Sequence, residues 1–133
     1  MTVLSGGSTP AVQLSEGGAL TEMHPGVYVF GDAQHRQLGT CDADAVALTA
    51  MATVVSCSKQ HVILDVGSKV LSTDRPAWID GLGSLPEYPS SRISELFEHQ
   101  ATVVSPDGAP LPVLGGHVRG DPQSRLHRRQ SGR

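Results

Sequence analysis

An alternating pattern between Val46 and Cys57 is the feature that most limits how this chain can fold. The stretch reads VALTAMATVVSC. Its apolar residues recur at every second position, which is the period of a half-buried β-strand. One predicted face carries Val46, Leu48, Ala50, Ala52 and Val54. We therefore predict a strand over Val46–Cys57 that places this face in a core.

A second strand is predicted directly after the first. The stretch His61–Ser72 repeats the alternation after the turn-like residues 58–60, so the two strands are expected to form an antiparallel pair. Gly67 indicates a bulge or a close approach of another backbone segment. For Asp65 and Lys69 we favour a local ion pair over a ligand contact.

Three other segments complete the prediction of secondary structure. Val27–Phe30 is a short apolar run between turn residues and is predicted to be a strand. Arg92–Val104 fits a helix in its first half and a strand in its second, and we favour a strand. Thr73–Ser91 is rich in Pro and Gly and is predicted to be an ordered loop anchored by Trp78 and Tyr88.

Composition supports a mainly β fold and excludes several classes of protein. With 15 Gly, 9 Pro and only 4% aromatic residues, the chain favours a turn-rich antiparallel β-sheet or barrel-like domain. A net charge of −3 argues against binding of nucleic acid along the whole chain. No run approaches the roughly 18 apolar residues of a membrane span, so we expect a soluble cytoplasmic protein. Cys41 and Cys57 lack CxxC spacing and are predicted to be reduced, partly buried thiols.

The glycine-rich stretch LSGGSTP near the start is a candidate phosphate site. Gly6, Gly7, Ser8 and Thr9 offer free backbone N–H groups beside hydroxyl groups, and this combination can hold a phosphate. The stretch lacks the Lys of a Walker loop and the spacing of a dinucleotide fingerprint, so a flexible loop is the alternative. The histidines show no metal-ligand spacing. Glu95 and Glu98, near His99, are interpreted as a solvated face and not as an acid/base pair.

Five blocks of sequence, in this order, resemble the end of D-threonine aldolases and D-serine dehydratases. The blocks are Leu4–Pro10, Thr21–Asp32, Ala47–Ser56, Val62–Asp74 and Arg92–Val104. These families are pyridoxal-phosphate enzymes with a fold similar to alanine racemase, in which a (β/α) barrel of eight units precedes a β domain. The resemblance covers residues 2–114. Each block alone is weakly specific. The resemblance becomes specific because all five blocks occur in this order and at these intervals.

The resemblance implies a division of the chain and a role for its first loop. Residues 1–25 would be the last barrel strand and a linker, and residues 26–114 would be the β domain. Gly6, Gly7, Ser8 and Thr9 would contribute to the site of the cofactor phosphate. The Schiff-base lysine of such enzymes lies upstream in the barrel, so neither Lys59 nor Lys69 is predicted to be catalytic. We predict no catalytic residue and no metal ligand in this chain.

Residues 115–133 form a tail of different composition. Five of the ten Lys and Arg residues lie between Arg119 and Arg133. The family holds a divalent metal with a Pro-Asn-His-x-Cys segment, which is absent here. One permitted codon choice for Asp121–Gly132, read out of frame, encodes Ile-Pro-Asn-His-Ala-Cys. We therefore hypothesise a frame shift shortly before Gly115, a disordered tail and an unpaired strand edge that makes the domain marginal and prone to aggregate.

Two functional hypotheses follow. In the first, the chain is the C-terminal part of a pyridoxal-phosphate-dependent, metal-assisted lyase for D-hydroxyamino acids. Alone it is expected to be inactive and to bind neither cofactor nor metal, and its partner would be a barrel-domain fragment or a second copy of the chain. In the alternative, the chain is a free-standing β-rich interaction module whose basic tail binds an acidic partner. We expect no membrane association, and binding of nucleic acid is disfavoured.

Overall fold

Strands dominate the computed structural model, which describes residues 2–12, 18–75, 77 and 79–122. The strands are β1 (Ser5–Gly6), β2 (Glu22–Met23), β3 (Ala50–Cys57), β4 (His61–Leu64), β5 (Gly83–Ser84), β6 (Arg92–Leu96), β7 (Ala101–Val104) and β8 (His117–Pro122). The helical elements with defined bounds are α1 (Ala33–Gln37) and a 3₁₀ helix (Ala43–Ala45). Trp78 is outside the described residues.

Six of these strands form a closed antiparallel barrel. Their order around the barrel is β3, β4, β7, β6, β5 and β8, and every neighbouring pair is antiparallel. Strand β8 closes the ring because it pairs with β3 on one side and with β5 on the other. The predicted fold class, a mainly β antiparallel barrel-like domain, is confirmed.

The barrel interior is the hydrophobic core. In β3, Ala52 and Val54 are buried while Met51 and Val55 are exposed, which confirms the alternation that the sequence predicted for this strand. Burial of such aliphatic side chains supplies the main stabilising free energy, about 25 cal/mol per Å² of apolar surface. The core cluster consists of Ala52, Val54, Val62, Leu64, Val66, Leu71, Leu85, Ile93, Ala101, Val103 and Val118.

The predicted pair of strands exists, but both strands are shorter than predicted. Strand β3 begins at Ala50 and not at Val46, and β4 ends at Leu64 and not at Ser72. The chain turns at Gly67, whose carbonyl accepts from the N–H groups of residues 70 and 71 at 3.0 and 2.8 Å. A Cβ on Gly67 would lie 2.3 Å from the carbonyl oxygen of Phe97, which confirms the predicted close approach of another backbone segment.

The expected ion pair between Asp65 and Lys69 is wrong. The turn at Gly67 separates the two residues, so they do not share a strand face. Asp65 Oδ1 accepts from the backbone N–H of Thr53 at 2.6 Å, and this bond lowers the pKa of the Asp65 carboxyl. Lys69 Nζ lies 3.1 Å from Glu98 Oε1 instead.

Residues 92–104 form two strands, β6 and β7, joined by a tight turn. The prediction of strand and not helix is confirmed. We predicted one strand, however, and these residues form the two strands of a hairpin. The N–H of Phe97 donates to the carbonyl of Gln100 at 2.8 Å and closes the turn. Glu98 and His99 are exposed at its tip, as expected for a solvated face.

Two loop predictions differ in outcome. Val27–Phe30 is not a strand: the N–H groups of Phe30 and Gly31 both donate to the carbonyl of Val27, at 3.2 and 3.0 Å, which makes a turn. Its apolar side chains find no sheet to pack on, and Tyr28 is exposed. The loop 73–91 contains the two-residue strand β5, which completes the barrel, and Tyr88 packs against the core as expected.

The end of the described chain corrects the predicted tail. Strand β8 (His117–Pro122) lies inside the segment that we assigned to a disordered tail. Because β8 is paired on both sides, the predicted unpaired edge is also wrong for the barrel as described. Residues 123–133, with most of the basic tail, lie outside the described residues. No helix in the described part of the chain is long and apolar enough to cross a membrane.

Candidate ligand site beside the glycine-rich loop

The glycine-rich loop follows strand β1, which pairs in parallel with β2. Gly7 and Ser8 are exposed, and Gly7 has φ +95°, a conformation that glycine adopts without strain. The positive φ turns the backbone after the strand and presents the next peptide groups to solvent. The backbone of the loop is therefore exposed just after β1.

Within the described residues, the N–H groups of Gly7 and Ser8 have no acceptor. The hydroxyl oxygen of Thr9 accepts from the N–H of Val27 at 3.0 Å, and the carbonyl of Ser8 accepts from Ala11 at 3.0 Å. In these bonds the loop contributes oxygen acceptors. The N–H groups of Gly7 and Ser8 are therefore available to bind a ligand. Such a donor set suits an oxyanion.

A short helix packs beside this loop, and the sequence analysis did not predict it. Helix α1 (Ala33–Gln37) begins after Asp32, whose side chain accepts from the N–H of His35 at 2.9 Å. Gly39 follows the helix with φ +69°. An N-capping Asp and a glycine just past the end are a recognisable signal for a helix, and this signal lies in the sequence GDAQHRQLG.

Asp32 and His35 form a buried pair. His35 Nδ1 lies 2.6 Å from Asp32 Oδ1, and only 1% of Asp32 and 3% of His35 is exposed. The second ring nitrogen of His35, Nε2, is buried and has no hydrogen-bond partner among the residues that the structure describes. An unpaired buried polar atom costs about 1–3 kcal/mol, so burial of this nitrogen lowers the stability of the fold.

His35 is also one of the residues that line a cavity of about 120 Å³. It is lined by Thr9, Val12, Tyr28, Gly31, His35, Thr40, Cys41 and Ala45. Thr9 belongs both to the predicted phosphate loop and to the cavity wall, so the two features adjoin. The structure thus brings one predicted site residue together with a histidine that sequence reasoning treated as scattered.

Cys41 is the other chemically reactive group in the cavity wall. Burial raises the pKa of its thiol, and the carboxylates of Asp32 and Asp42 raise this pKa further. The thiol is therefore protonated at neutral pH and is not an activated nucleophile. Cys41 and Cys57 are both free thiols. Cys41 is partly buried as predicted, whereas Cys57 is exposed.

Arg36 connects the helix to the barrel. Its Nη2 donates to Ser84 Oγ at 2.7 Å, and its Nη1 lies 3.4 Å from Asp121 Oδ2. Ser84 belongs to β5 and Asp121 to β8, so one guanidinium spans the strand pair that closes the ring. This contact fixes helix α1, and with it the Asp32–His35 pair, relative to the β domain.

Groups of three or more His, Cys, Asp or Glu side chains able to hold a metal ion are absent from the described residues. Lys59 is exposed in the turn between β3 and β4, and Lys69 is paired with Glu98. Neither lysine is among the residues that line the cavity. The chemistry available at the site is therefore hydrogen bonding by backbone, hydroxyl and imidazole groups.

Replacing Asp32 by alanine is expected to lower the free energy of unfolding by about 2 kcal/mol, because the change removes the helix cap and the acceptor of a buried imidazole N–H. Asp42→Ala is a matched control, since Asp42 precedes the 3₁₀ helix but makes no side-chain capping bond. Urea unfolding followed by circular dichroism measures both. A loss of similar size in the two variants would contradict the role given to Asp32.

Comparison with known proteins finds one sequence family and several relatives. Residues 47–123 match the family described as the putative serine dehydratase domain. An uncharacterised protein of Mycobacterium tuberculosis is 49% identical over 96 residues, which cover 68% of this chain and 72% of that protein. The D-threo-3-hydroxyaspartate dehydratase of Delftia sp. is 43% identical over 76 residues, covering 55% of this chain and 20% of the enzyme.

Solved structures that are similar to this chain agree with the sequence comparison. The structure of D-threo-3-hydroxyaspartate dehydratase from Delftia sp. HT23 superimposes with a TM-score of 0.72 at 30% identity, covering 91% of this chain and 37% of the enzyme. D-threonine aldolase from Filomicrobium marinum gives 0.69 at 24% identity, covering 91% and 33%, which shows a shared fold. The chain thus spans little more than a third of the solved relatives it matches.

Proposed function

Since the chain belongs to the putative serine dehydratase domain family, we propose that it is the C-terminal part of a pyridoxal-phosphate-dependent, metal-assisted lyase for D-hydroxyamino acids. The observation that carries the proposal is that one chain contains both a closed β barrel and an exposed glycine-rich loop. The structural similarity to a D-threo-3-hydroxyaspartate dehydratase over 91% of the chain supports it.

The residues of the loop fit the phosphate of such a cofactor. Gly7 and Ser8 offer N–H donors that no other described residue uses, and the exposed Ser8 hydroxyl adds another. Gly6 is the last residue of β1 and precedes the loop. The hydrogen bond from the N–H of Val27 to the Thr9 hydroxyl oxygen holds the loop in place. When bound, pyridoxal phosphate supplies an electron sink for reactions at the amino-acid α-carbon. In this proposal the loop only binds and orients the phosphate.

The described residues do not fit the family's metal. Groups of three or more ligand side chains are absent among them, so no step is assigned here to a metal held by this part of the chain. The Schiff-base lysine is likewise assigned to a partner that carries the barrel. Exposed apolar side chains beside the site, Tyr28, Val29, Phe30 and Leu38, supply surface that such a partner would cover.

The reading-frame hypothesis is retained in a revised form. A shift before Gly115 disagrees with strand β8 and with a family match that extends to residue 123 in the present frame. We therefore propose that any shift lies beyond the start of β8. Sequencing the DNA for residues 105–133 tests this: a second frame that encodes Pro-Asn-His-x-Cys supports the shift, and its absence removes the hypothesis. Whether the chain works in the cytoplasm, and whether the basic tail binds an acidic partner, stay predictions.

The phosphate role of the loop can be tested by joining this chain to the barrel portion of the Delftia dehydratase. We expect Gly7→Ala to weaken pyridoxal-phosphate binding about tenfold, which corresponds to about 1.4 kcal/mol, because a Cβ at a φ of +95° strains the backbone of the loop. Met23 Cε, 2.7 Å from the added Cβ, is the end of a flexible side chain and can move. Fluorescence titration of the cofactor measures the affinity.

Gly18→Ala is the matched control for this experiment. Gly18 also has a positive φ, +77°, but its Cβ would meet nothing within 4 Å and it lies outside the loop. We expect cofactor affinity to be unchanged in this variant. Equal affinities in the two variants would contradict the assignment of the phosphate to this loop, and a fusion that binds no cofactor at all would count against the proposed function.

A further inference from the structure

His24 lies directly beside the start of the glycine-rich loop. It follows strand β2, and its backbone N–H donates to the carbonyl of Gly6 at 3.2 Å, which continues the parallel pairing of β2 with β1. Its ring nitrogen Nε2 is hydrogen-bonded to the hydroxyl of Ser5, the first residue of β1. Both the backbone and the ring of His24 are therefore tied to the strand that leads into the loop.

The imidazole of His24 is accessible to a ligand, because 67% of its side chain is exposed. Its partner Ser5 precedes Gly7 by two residues, a separation of at most about 7 Å along the chain. The Debye length at physiological salt is about 8 Å. A charge on the ring is therefore close enough to act on an anion bound by the N–H groups of Gly7 and Ser8.

The glycine-rich loop has no positively charged side chain of its own. Residues 2–12 contain no Lys, Arg or His, and the charged or titratable side chains of residues 18–25 are Glu22 and His24. The carboxylate of Glu22 lies 4.0 Å from His24 Nε2 and cannot attract an anion. Hydrogen bonds between a phosphate and a charged donor are stronger than those from neutral groups alone. His24 is the side chain in these two stretches that can supply such a charge.

We propose that His24 is a further phosphate-binding residue of this site. Its protonated ring attracts the phosphate, and Ser5 holds the ring beside the loop. The inference rests on the proposed function, because it takes the glycine-rich loop as the phosphate site. The carboxylate of Glu22 offsets part of the attraction without removing it, since the imidazolium is the group bonded to the strand that enters the loop. The site therefore binds phosphate more tightly when His24 is protonated.

The test uses the full chain with sulfate as the probe, since sulfate resembles a phosphate dianion and keeps its charge while the protein titrates. Backbone amide shifts of Gly7 and Ser8 report binding at about pH 5.5 and about pH 7.5, on either side of the ordinary imidazole pKa of roughly 6.5. We expect about fivefold higher affinity at the lower pH. His24→Gln keeps a donor for Ser5 but carries no charge. Its affinity at both pH values is expected to equal that of the parent at the higher pH.

Two further variants make the result specific to His24. His24→Lys keeps a positive charge at both pH values and is expected to bind sulfate tightly at both. His99→Gln, at an exposed histidine of the turn between β6 and β7, is expected to keep the pH dependence of the parent. Circular dichroism verifies that each variant is folded.

The outcomes separate the role of His24 from that of the loop. If the pH dependence survives in His24→Gln, or if His24→Lys binds no better than His24→Gln, the role of His24 is overturned and the loop remains an anion site. If sulfate causes no saturable shift at Gly7 and Ser8 at either pH, the phosphate role of the loop falls as well.

Discussion

Replacing Leu64 by alanine is expected to lower the free energy of unfolding by about 3 kcal/mol. Leu64 is fully buried, and it pairs with Val54 of β3 and with Ala101 of β7. Removal of its branched end loses the transfer free energy of those atoms and leaves a cavity where three strands meet, a combination that costs about 2–5 kcal/mol in protein cores.

Urea unfolding followed by circular dichroism measures this loss. Val113→Ala is the control, because Val113 is 72% exposed and truncation at such a site changes stability by about 0.5 kcal/mol or less. The slope of unfolding free energy against urea should stay the same in both variants. If the two truncations had equal effects, the barrel interior would not be the core that stabilises the fold.

Gly67→Ala is the second change with a large expected effect, again about 3 kcal/mol. The new Cβ would lie 2.3 Å from the carbonyl oxygen of Phe97 and 2.5 Å from the backbone nitrogen of Gln100. These are backbone atoms of the turn between β6 and β7, which cannot rotate away as a side chain would. The hairpin has to shift, and such overpacking costs about 1–3 kcal/mol or more.

The matched control is Gly120→Ala in strand β8. A Cβ there would be 3.8 Å from the nearest atom, the carbonyl oxygen of Ala50, so the same substitution meets ordinary van der Waals contact. We expect its melting temperature to lie within a few degrees of the parent's, and that of Gly67→Ala to fall by about 10 °C. A Gly67→Ala variant as stable as the Gly120→Ala variant would show that the two backbone segments are not in close contact.

The sequence predicted the parts of the fold that depend on local patterns. The period-two alternation in β3 identified its buried face, because residues on one face of a strand share one environment. Gly67 was expected to mark a close backbone approach, because glycine inside an otherwise apolar stretch signals a space with no room for a side chain. Both predictions needed only neighbouring residues, and both are confirmed.

Features that depend on distant residues were missed. The run Val27–Phe30 has the composition of a strand, but it pairs with none of the described strands and forms a turn. The two residues of β5 have no sequence pattern typical of a strand. They form one because they pair with β6 on one side and with β8 on the other. Strand β8 looked like the start of a tail, because its pairing with β3 cannot be read from its own composition.

The same distinction between local and distant determinants applies to the candidate site. Gly6, Gly7, Ser8 and Thr9 were found from sequence because a glycine-rich stretch beside hydroxyls has a direct chemical meaning. His35 was not found, since its environment depends on burial by surrounding elements that are remote in the chain. The capping signal at Asp32 could have located helix α1, but it says nothing about the cavity or about the free nitrogen of the imidazole.

The position of β8 in the barrel has a consequence for how the protein is made. Its partner residues in β3 are distant along the chain, with Thr53 opposite His117 at a separation of 64 residues. During synthesis β3 leaves the ribosome before β8, so the edge of β3 that pairs with β8 stays open until β8 follows. Contacts of such high sequence separation form slowly. The barrel can therefore close only after β8 has been made, and until then β3 presents an unpaired edge that can associate with other chains.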